Sequence, residues 1–124
     1  MNVVDSSGWL EYFANGPNAG TFAKPIEKLE ELLIPSITLV EVFKRILQQR
    51  AEPEALQAVA HMTQGRVVDL NTTIALKAAR MGHDLKLPLA DSIILATARL
   101  YEANLWTQDE DFKGLPDVRF IPRP

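Results

Sequence analysis

The sequence predicts an α/β fold: a three-layer α/β/α sandwich around a small, mostly parallel central sheet. Short apolar runs alternate along the chain with segments whose apolar residues recur at helical spacing, which is the pattern of parallel β/α units. Acidic residues stand directly after the first and fourth of these runs, where open parallel sheets place their ligand sites. The chain has 124 residues, 47% hydrophobic and 23% charged, the size and balance of one globular domain, and a single domain over 1–124 is expected.

Val3-Val4 forms the first, very short strand and ends at Asp5. Ser6-Ser7-Gly8 starts a helix whose Trp9, Leu10 and Phe13 fall at helical spacing, and Asn15-Gly16-Pro17-Asn18 stops it. Residues 25–33 are read as a short acidic helix. Leu33-Ile34-Pro35-Ser36 is the second strand, with its proline near an end of the ladder. From Leu39 to Arg50 the apolar positions 39, 43, 46 and 47 mark a helical stripe. Pro53 begins another helix, running to about Gln64, and Arg66 to Leu70 is the third strand. The alanine-rich stretch from Thr72 is helical to about Met81, with Gly82 as its terminator. Pro88 opens the next helix, which runs to Glu102. Leu105-Trp106-Thr107 is the fourth strand, Asp109 to Gly114 a turn or single helical turn, and Val118 to Ile121 a fifth strand.

Composition removes whole classes of chemistry. There is no cysteine, so disulfides, thiolate metal sites, iron–sulfur clusters and cysteine nucleophiles are excluded. Two histidines, His61 and His83, do not make a histidine-rich metal centre. No apolar run approaches the ~20 residues of a membrane span, and the N-terminus lacks a basic region before an apolar stretch. A cytoplasmic protein without a membrane partner is expected. The net charge of −3 argues against broad electrostatic binding of nucleic acid, while leaving room for a locally gripped one.

Four acids carry the functional reading, each beside an ordinary explanation. Asp5 follows the first strand and also suits a helix N-cap. Glu41 fits a capping box with Thr38 and an i,i+4 pair with Arg45. Asp91 is harder to explain structurally. It is the only charged residue between Lys86 and Arg99, in a helix apolar on almost every side, with Leu95 and Ala98 on its own stripe and Leu89, Ile93, Ala96 and Leu100 on another. The helix dipole favours an acid there by roughly 0.3–1 kcal/mol. An unpaired buried charge costs several kcal/mol. Asp109 follows the fourth strand in Trp-Thr-Gln-Asp-Glu-Asp-Phe, where three consecutive acids repel one another unless a cation is near. Carboxylates without soft ligands suit Mg²⁺, with Mn²⁺ as a substitute.

Taken in order, Val-Val-Asp5-Ser-Ser-Gly-Trp-Leu-Glu-Tyr-Phe, Ser36-Ile-Thr-Leu-Val-Glu41-Val, Leu89-Ala-Asp91-Ser-Ile-Ile-Leu-Ala-Thr-Ala and Thr107-Gln-Asp109-Glu-Asp111-Phe resemble a PIN domain, and specifically the small toxins of the VapBC type. The resemblance covers essentially the whole chain. It implies a Mg²⁺-dependent endoribonuclease that leaves a 5′-phosphate and a 3′-hydroxyl, acts as the toxin of a toxin–antitoxin pair, and is held inactive by a cognate antitoxin. It also implies a homodimer. Carried over, the acidic positions are Asp5, Glu41, Asp91 and Asp109. Asp5, Asp91 and Asp109 would hold the metal, and Glu41 a second metal or the attacking water. Thr107 is a supporting hydroxyl, and Asp111 could share the role of Asp109. Lys44, Arg45 and Lys86 are candidates for gripping RNA. Trp9, Tyr12, Phe13 and Phe43 are candidates for the dimer face, and an antitoxin arginine is expected to enter the acid pocket.

The position of Asp111 beside an inward-turning Phe112 predicts a carboxylate directed partly away from the pocket, capping or charging the turn. Two alternatives remain. A phosphoacceptor receiver domain expects paired acids after the first strand, an aspartate ending the third and a lysine after the fifth, whereas Asp5 is alone and Asp69 lies within Val-Val-Asp-Leu. The other is a PIN-fold binding module without activity.

Overall fold

The computed structural model describes residues 1–124. In chain order the elements are β1 (Asn2–Val4), α1 (Ser6–Phe13), α2 (Ala19–Ile26), β2 (Leu32–Pro35), α3 (Ser36–Gln49), α4 (Glu52–Met62), β3 (Arg66–Val68), α5 (Thr72–Leu85), α6 (Leu89–Leu100), β4 (Asn104–Thr107) and β5 (Val118–Phe120), with 3₁₀ turns at Leu29–Glu31 and Glu110–Phe112. The strands lie in the order β3-β2-β1-β4-β5, and all four pairings are parallel. No helix is long and apolar enough to cross a membrane.

Alternation along each strand divides the core between the two faces of the sheet. Val3, Leu33 and Leu105 pack with Ile74 and Ala78 of α5, with α6 and with Phe112. Val4, Leu32 and Ile34 pack with Trp9, Phe22, Ile26, Val42, Ile46 and Met62, drawn from α1 to α4. Helices thus cover both faces, as the alternating pattern predicts. From β1 the chain first moves out through β2 to β3, then returns to the other side of β1 for β4 and β5. The order reverses between β1 and β4, so the crevice beyond their carboxyl ends is where an open α/β sheet binds its ligand. Asp5 lies one residue past β1, and Asp109 lies two past β4.

Three elements differ from the sequence expectation. The helix expected over residues 25–33 lies earlier, at Ala19–Ile26, because Phe22 and Ile26 form a buried i,i+4 pair. Pro25 closes its last turn, and Glu27, Glu30 and Glu31 follow in the solvent. The third strand stops at Val68, so Asp69 follows it instead of lying within it. That removes one objection to a receiver domain, but the strand order raises a stronger one. Receiver-type sheets run 2-1-3-4-5 with the third strand beside the first, whereas here β3 is an edge strand separated from β1 by β2.

Finally, Gly82 does not end its helix. α5 continues to Leu85 and ends on Lys86 in the left-handed conformation, φ 58°. The glycine instead serves a close approach of two helices. A Cβ at residue 82 would lie 2.7 Å from Ser92 Oγ on α6. Gly8 plays the same part under α1, where a Cβ would meet Val4 Cγ1 at 2.6 Å and the Phe22 ring at 2.7 Å. That contact seats the start of α1 directly on the end of β1.

Candidate active site

Asp5 is both the cap and the innermost acid. It is only 2% exposed. Its Oδ1 accepts from Gly8 N at 3.1 Å, which is the N-cap bond of α1, and from Ser7 Oγ at 2.7 Å. Its Oδ2 accepts from Thr107 Oγ1 at 2.7 Å. Burial pushes this carboxyl up to about 6, against the pull of the bonds from Ser7, Thr107 and Gly8, and the Asp109 charge adds to the rise. Thr107 is fully buried at the end of β4, and its hydroxyl also accepts from Asp109 N at 2.9 Å. One hydroxyl therefore ties the acid after β1 to the backbone of the acid after β4.

Asp91 sits in the first turn of α6, at the mouth of a helix buried continuously from Ser92 to Ala98. Burial pushes its carboxyl up to about 7, followed in order by the charges of Asp109, Asp5, Asp111 and Glu41. Four carboxylates from three other parts of the chain thus bear on this one. No basic side chain within 4 Å answers them, since the one ion pair in the molecule is His83–Asp84 at the surface. The burial of α6 follows the sequence expectation at its centre but not at its ends. Leu89 is 79% exposed and Leu100 39% exposed.

Asp91, Asp109 and Asp111 each offer a carboxylate oxygen lying within 4.8 Å of the others. This corrects the expected orientation of Asp111. Asp109, not Asp111, is the cap: its Oδ1 accepts from Asp111 N at 2.9 Å and starts the 3₁₀ turn Glu110–Phe112. That bond folds residue 111 back over Asp109, and the tighter turn brings its side chain to the cluster while Phe112 enters the core.

Glu41 lies on α3 with its ordinary explanations removed. Thr38 Oγ1 donates to the Pro35 carbonyl at 2.7 Å, α3 has no side-chain cap, and Glu41 makes no ion pair with Arg45. Its Oε1 instead accepts from Ser6 Oγ at 2.9 Å. Ser6, Ser7 and Gln108 form a layer behind the acids that sequence reasoning left out, with Gln108 N donating to Ser7 Oγ at 3.2 Å. The available signal was the Asp-Ser-Ser-Gly run itself, with two hydroxyls in the first turn after a strand-ending acid. Lys44 and Lys86 are exposed, and Arg45 lines a cavity beside the acids. Trp9, Tyr12, Phe13 and Phe43 belong to or pack against the core on the α1–α4 face, with Trp9 fully buried.

The donor set fits a hard divalent cation. Every group is an oxygen, three of the carboxylates are within mutual reach of one ion, and buried Asp5 and half-buried Asp91 are held in a state that a positive charge would relieve.

The family model described as PIN domain matches residues 3–118. No curated protein matches the sequence. Among solved structures, a toxin–antitoxin complex from Klebsiella pneumoniae is 25% identical with a TM-score of 0.80, covering 96% of each chain. FitAcB from Neisseria gonorrhoeae is 20% identical with a TM-score of 0.77, covering 98% of each chain. The Mycobacterium tuberculosis VapC20, a sarcin-ricin loop cleaving toxin, is 19% identical with a TM-score of 0.75, covering 99% of this chain and 98% of that one.

Proposed function

The chain belongs to the PIN domain family, and on that premise we propose that it is a Mg²⁺-dependent endoribonuclease acting as the toxin of a toxin–antitoxin pair. The observation that carries the reading is the setting of Asp91, a partly buried carboxyl on which Asp109, Asp5, Asp111 and Glu41 all bear without a basic partner. A structural acid would be capped or paired, and this one is neither. The similar solved structures support the toxin part of the reading, since they include a toxin–antitoxin complex and a sarcin-ricin loop cleaving toxin.

Asp91, Asp109 and Asp111 offer oxygens within mutual reach of one cation. Asp5, expected from the sequence as a ligand, lies outside that trio with both oxygens hydrogen-bonded, and would act on the cation from behind it. A bound cation supplies Lewis acidity toward a water and toward a phosphate oxygen. The chain's own contribution is placement. Thr107 fixes Asp5 and the Asp109 backbone in one frame, Ser7 fixes the second Asp5 oxygen, and Ser6 aims Glu41. Glu41 keeps one oxygen free of protein partners, from which it can orient a water or take its proton. In the antitoxin-bound state, an arginine guanidinium entering the acids would pair with them bidentately and block the cation.

The reading includes self-association. The side chains available for it are Val40, Leu56, Leu76 and Leu89, each more than half exposed, and not Trp9, which is buried. The test of the whole reading is RNA cleavage by the purified chain with Mg²⁺ or Mn²⁺, stopped by EDTA and absent in Asp91→Asn. Full cleavage in chelator would sink the mechanism, and a monomeric mass by light scattering would sink the dimer.

A further inference from the structure

A cavity of about 670 Å³ opens beside the acids, between α1, α3, α4 and the C-terminal segment. Its size is that of a small-ligand or nucleotide site. Its inner wall is Ser6, Ser7 and Gln108, the same residues that back Glu41 and Asp5, so it begins where the carboxylates end. Arg45, Arg50 and Arg123 line it. In a chain of net charge −3, three guanidiniums on one cavity beside an acidic cluster are a local reversal of sign.

The two acids of the cavity leave it a formal net charge of +1, and neither pairs with an arginine. Glu11 Oε2 accepts from Asn18 N at 2.7 Å, and Glu54 Oε2 accepts from Ala51 N at 3.0 Å, while none of the three arginines makes an ion pair. Arg123 is held in place by its bond to the Gln108 carbonyl at 3.1 Å. Glu41, Arg45 and Gln49 follow one another at i,i+4 on α3, so a single ridge runs from the acids outward, each step about 6 Å along the axis. Leu10 and Phe13 supply an apolar wall on the opposite side.

We propose that this cavity is the substrate track: the single-stranded RNA flank on one side of the scissile phosphate lies along it, with its phosphates on Arg45, Arg50 and Arg123 and a base against Leu10 and Phe13. The proposal rests on the ribonuclease reading and adds which residues hold the substrate. Guanidiniums suit phosphate oxygens, and an apolar wall accepts a base face without reading its sequence. The three arginines are positioning residues, and their effect falls on substrate affinity, not on the bond-breaking step.

Binding of a fluorescein-labelled mixed-sequence single-stranded RNA is measured by polarisation in EDTA over a range of salt. The proteins are the parent, Arg45→Gln, Arg50→Gln, Arg123→Gln and the triple variant. Each single change should weaken binding about 3- to 10-fold, and the triple should flatten the log–log salt slope by about 2, near 0.7 per lost phosphate contact. Lysine in place of each arginine should recover most of the affinity. With Mg²⁺, the triple variant should raise KM on the long RNA far more than it lowers kcat. Melting temperatures confirm that the variants are folded. A triple variant that binds RNA with parental affinity and slope while the parent cleaves overturns the track and leaves the ribonuclease reading standing. A parent that neither binds nor cleaves RNA overturns both. Variants that keep RNA binding but lose a co-expressed antitoxin assign the cavity to a protein partner and also overturn the proposal.

Discussion

Thr107 shows how much one side chain carries. Its hydroxyl donates to Asp5 Oδ2 and accepts from Asp109 N, and it is fully buried. Thr107→Val keeps the shape and removes both bonds, leaving buried polar atoms unpaired at a cost of about 1–3 kcal/mol. A lower melting temperature and a higher Mg²⁺ concentration for half-maximal cleavage are expected together, and loss of stability without a change in metal requirement would count against the shared frame. Asp109 and Asp111 separate by a different route. Asparagine caps about as well as aspartate, so Asp109→Asn should keep the turn and its melting temperature while cleavage falls by orders of magnitude. Asp111→Asn should shift the Mg²⁺ titration several-fold and be rescued by excess metal. Equal, unrescued inactivity of both variants would show that Asp111 is as central as Asp109. At this scale the sequence was legible where an acid follows a strand or interrupts an apolar helix, as at Asp5 and Asp91. It was not legible where partners are distant in the chain: Ser6 meets Glu41 across 35 residues, and nothing in Ser-Ile-Thr-Leu-Val-Glu distinguishes that from a capping box.

Among the elements, α6 has to be placed accurately because it carries Asp91. Its neighbour Ser92 is buried, donates to the Pro88 carbonyl at 2.9 Å, and receives the bare backbone of Gly82 from α5. Gly82→Ala would normally gain up to about 1 kcal/mol of helix propensity. Here the added Cβ stands 2.7 Å from Ser92 Oγ, and the overpacking costs about 1–3 kcal/mol. A lower melting temperature is expected, with a higher Mg²⁺ concentration for half-maximal cleavage as the first turn of α6 shifts. Gly20→Ala in α2 is the matched control, because nothing lies within 4 Å of its Cβ. It should leave stability equal or higher, and the same sign for both variants would refute the contact. Apolar periodicity made most elements legible, the strand ending at Thr107 and the helix Leu89–Leu100 among them. Gly82 misled because a glycine that ends a helix and one that admits a neighbouring helix look the same in sequence. The acidic run after Pro25 misled because charge density is not periodicity, and the buried Phe22 and Ile26 lay just upstream.

For the whole molecule, the sheet gathers negative charge at one edge, and stability must depend on pH and metal together. Asp5 and Asp91 titrate near 6 and 7 in the folded chain, against 3.8 for an unperturbed aspartate. Between about pH 4 and pH 7 the folded state therefore holds protons that the unfolded state has released, and the stabilisation due to these two groups falls as pH rises through that window. Above about pH 8 both are ionised in either state and their contribution is flat. A divalent cation reverses the trend. It binds the deprotonated carboxylates, so its stabilisation of the folded state grows with pH across the same range. Melting temperature measured at pH 5 and pH 8, in EDTA and in Mg²⁺, should show a gap between the two conditions that is small at pH 5 and wide at pH 8. In Asp91→Asn the EDTA profile should be flatter, since the group with the larger rise is gone, and the gap at pH 8 should shrink. A gap that is equal at both pH values, or an Asp91→Asn profile as steep as the parent's, would mean that the cation is not held by the acids that titrate together at this edge.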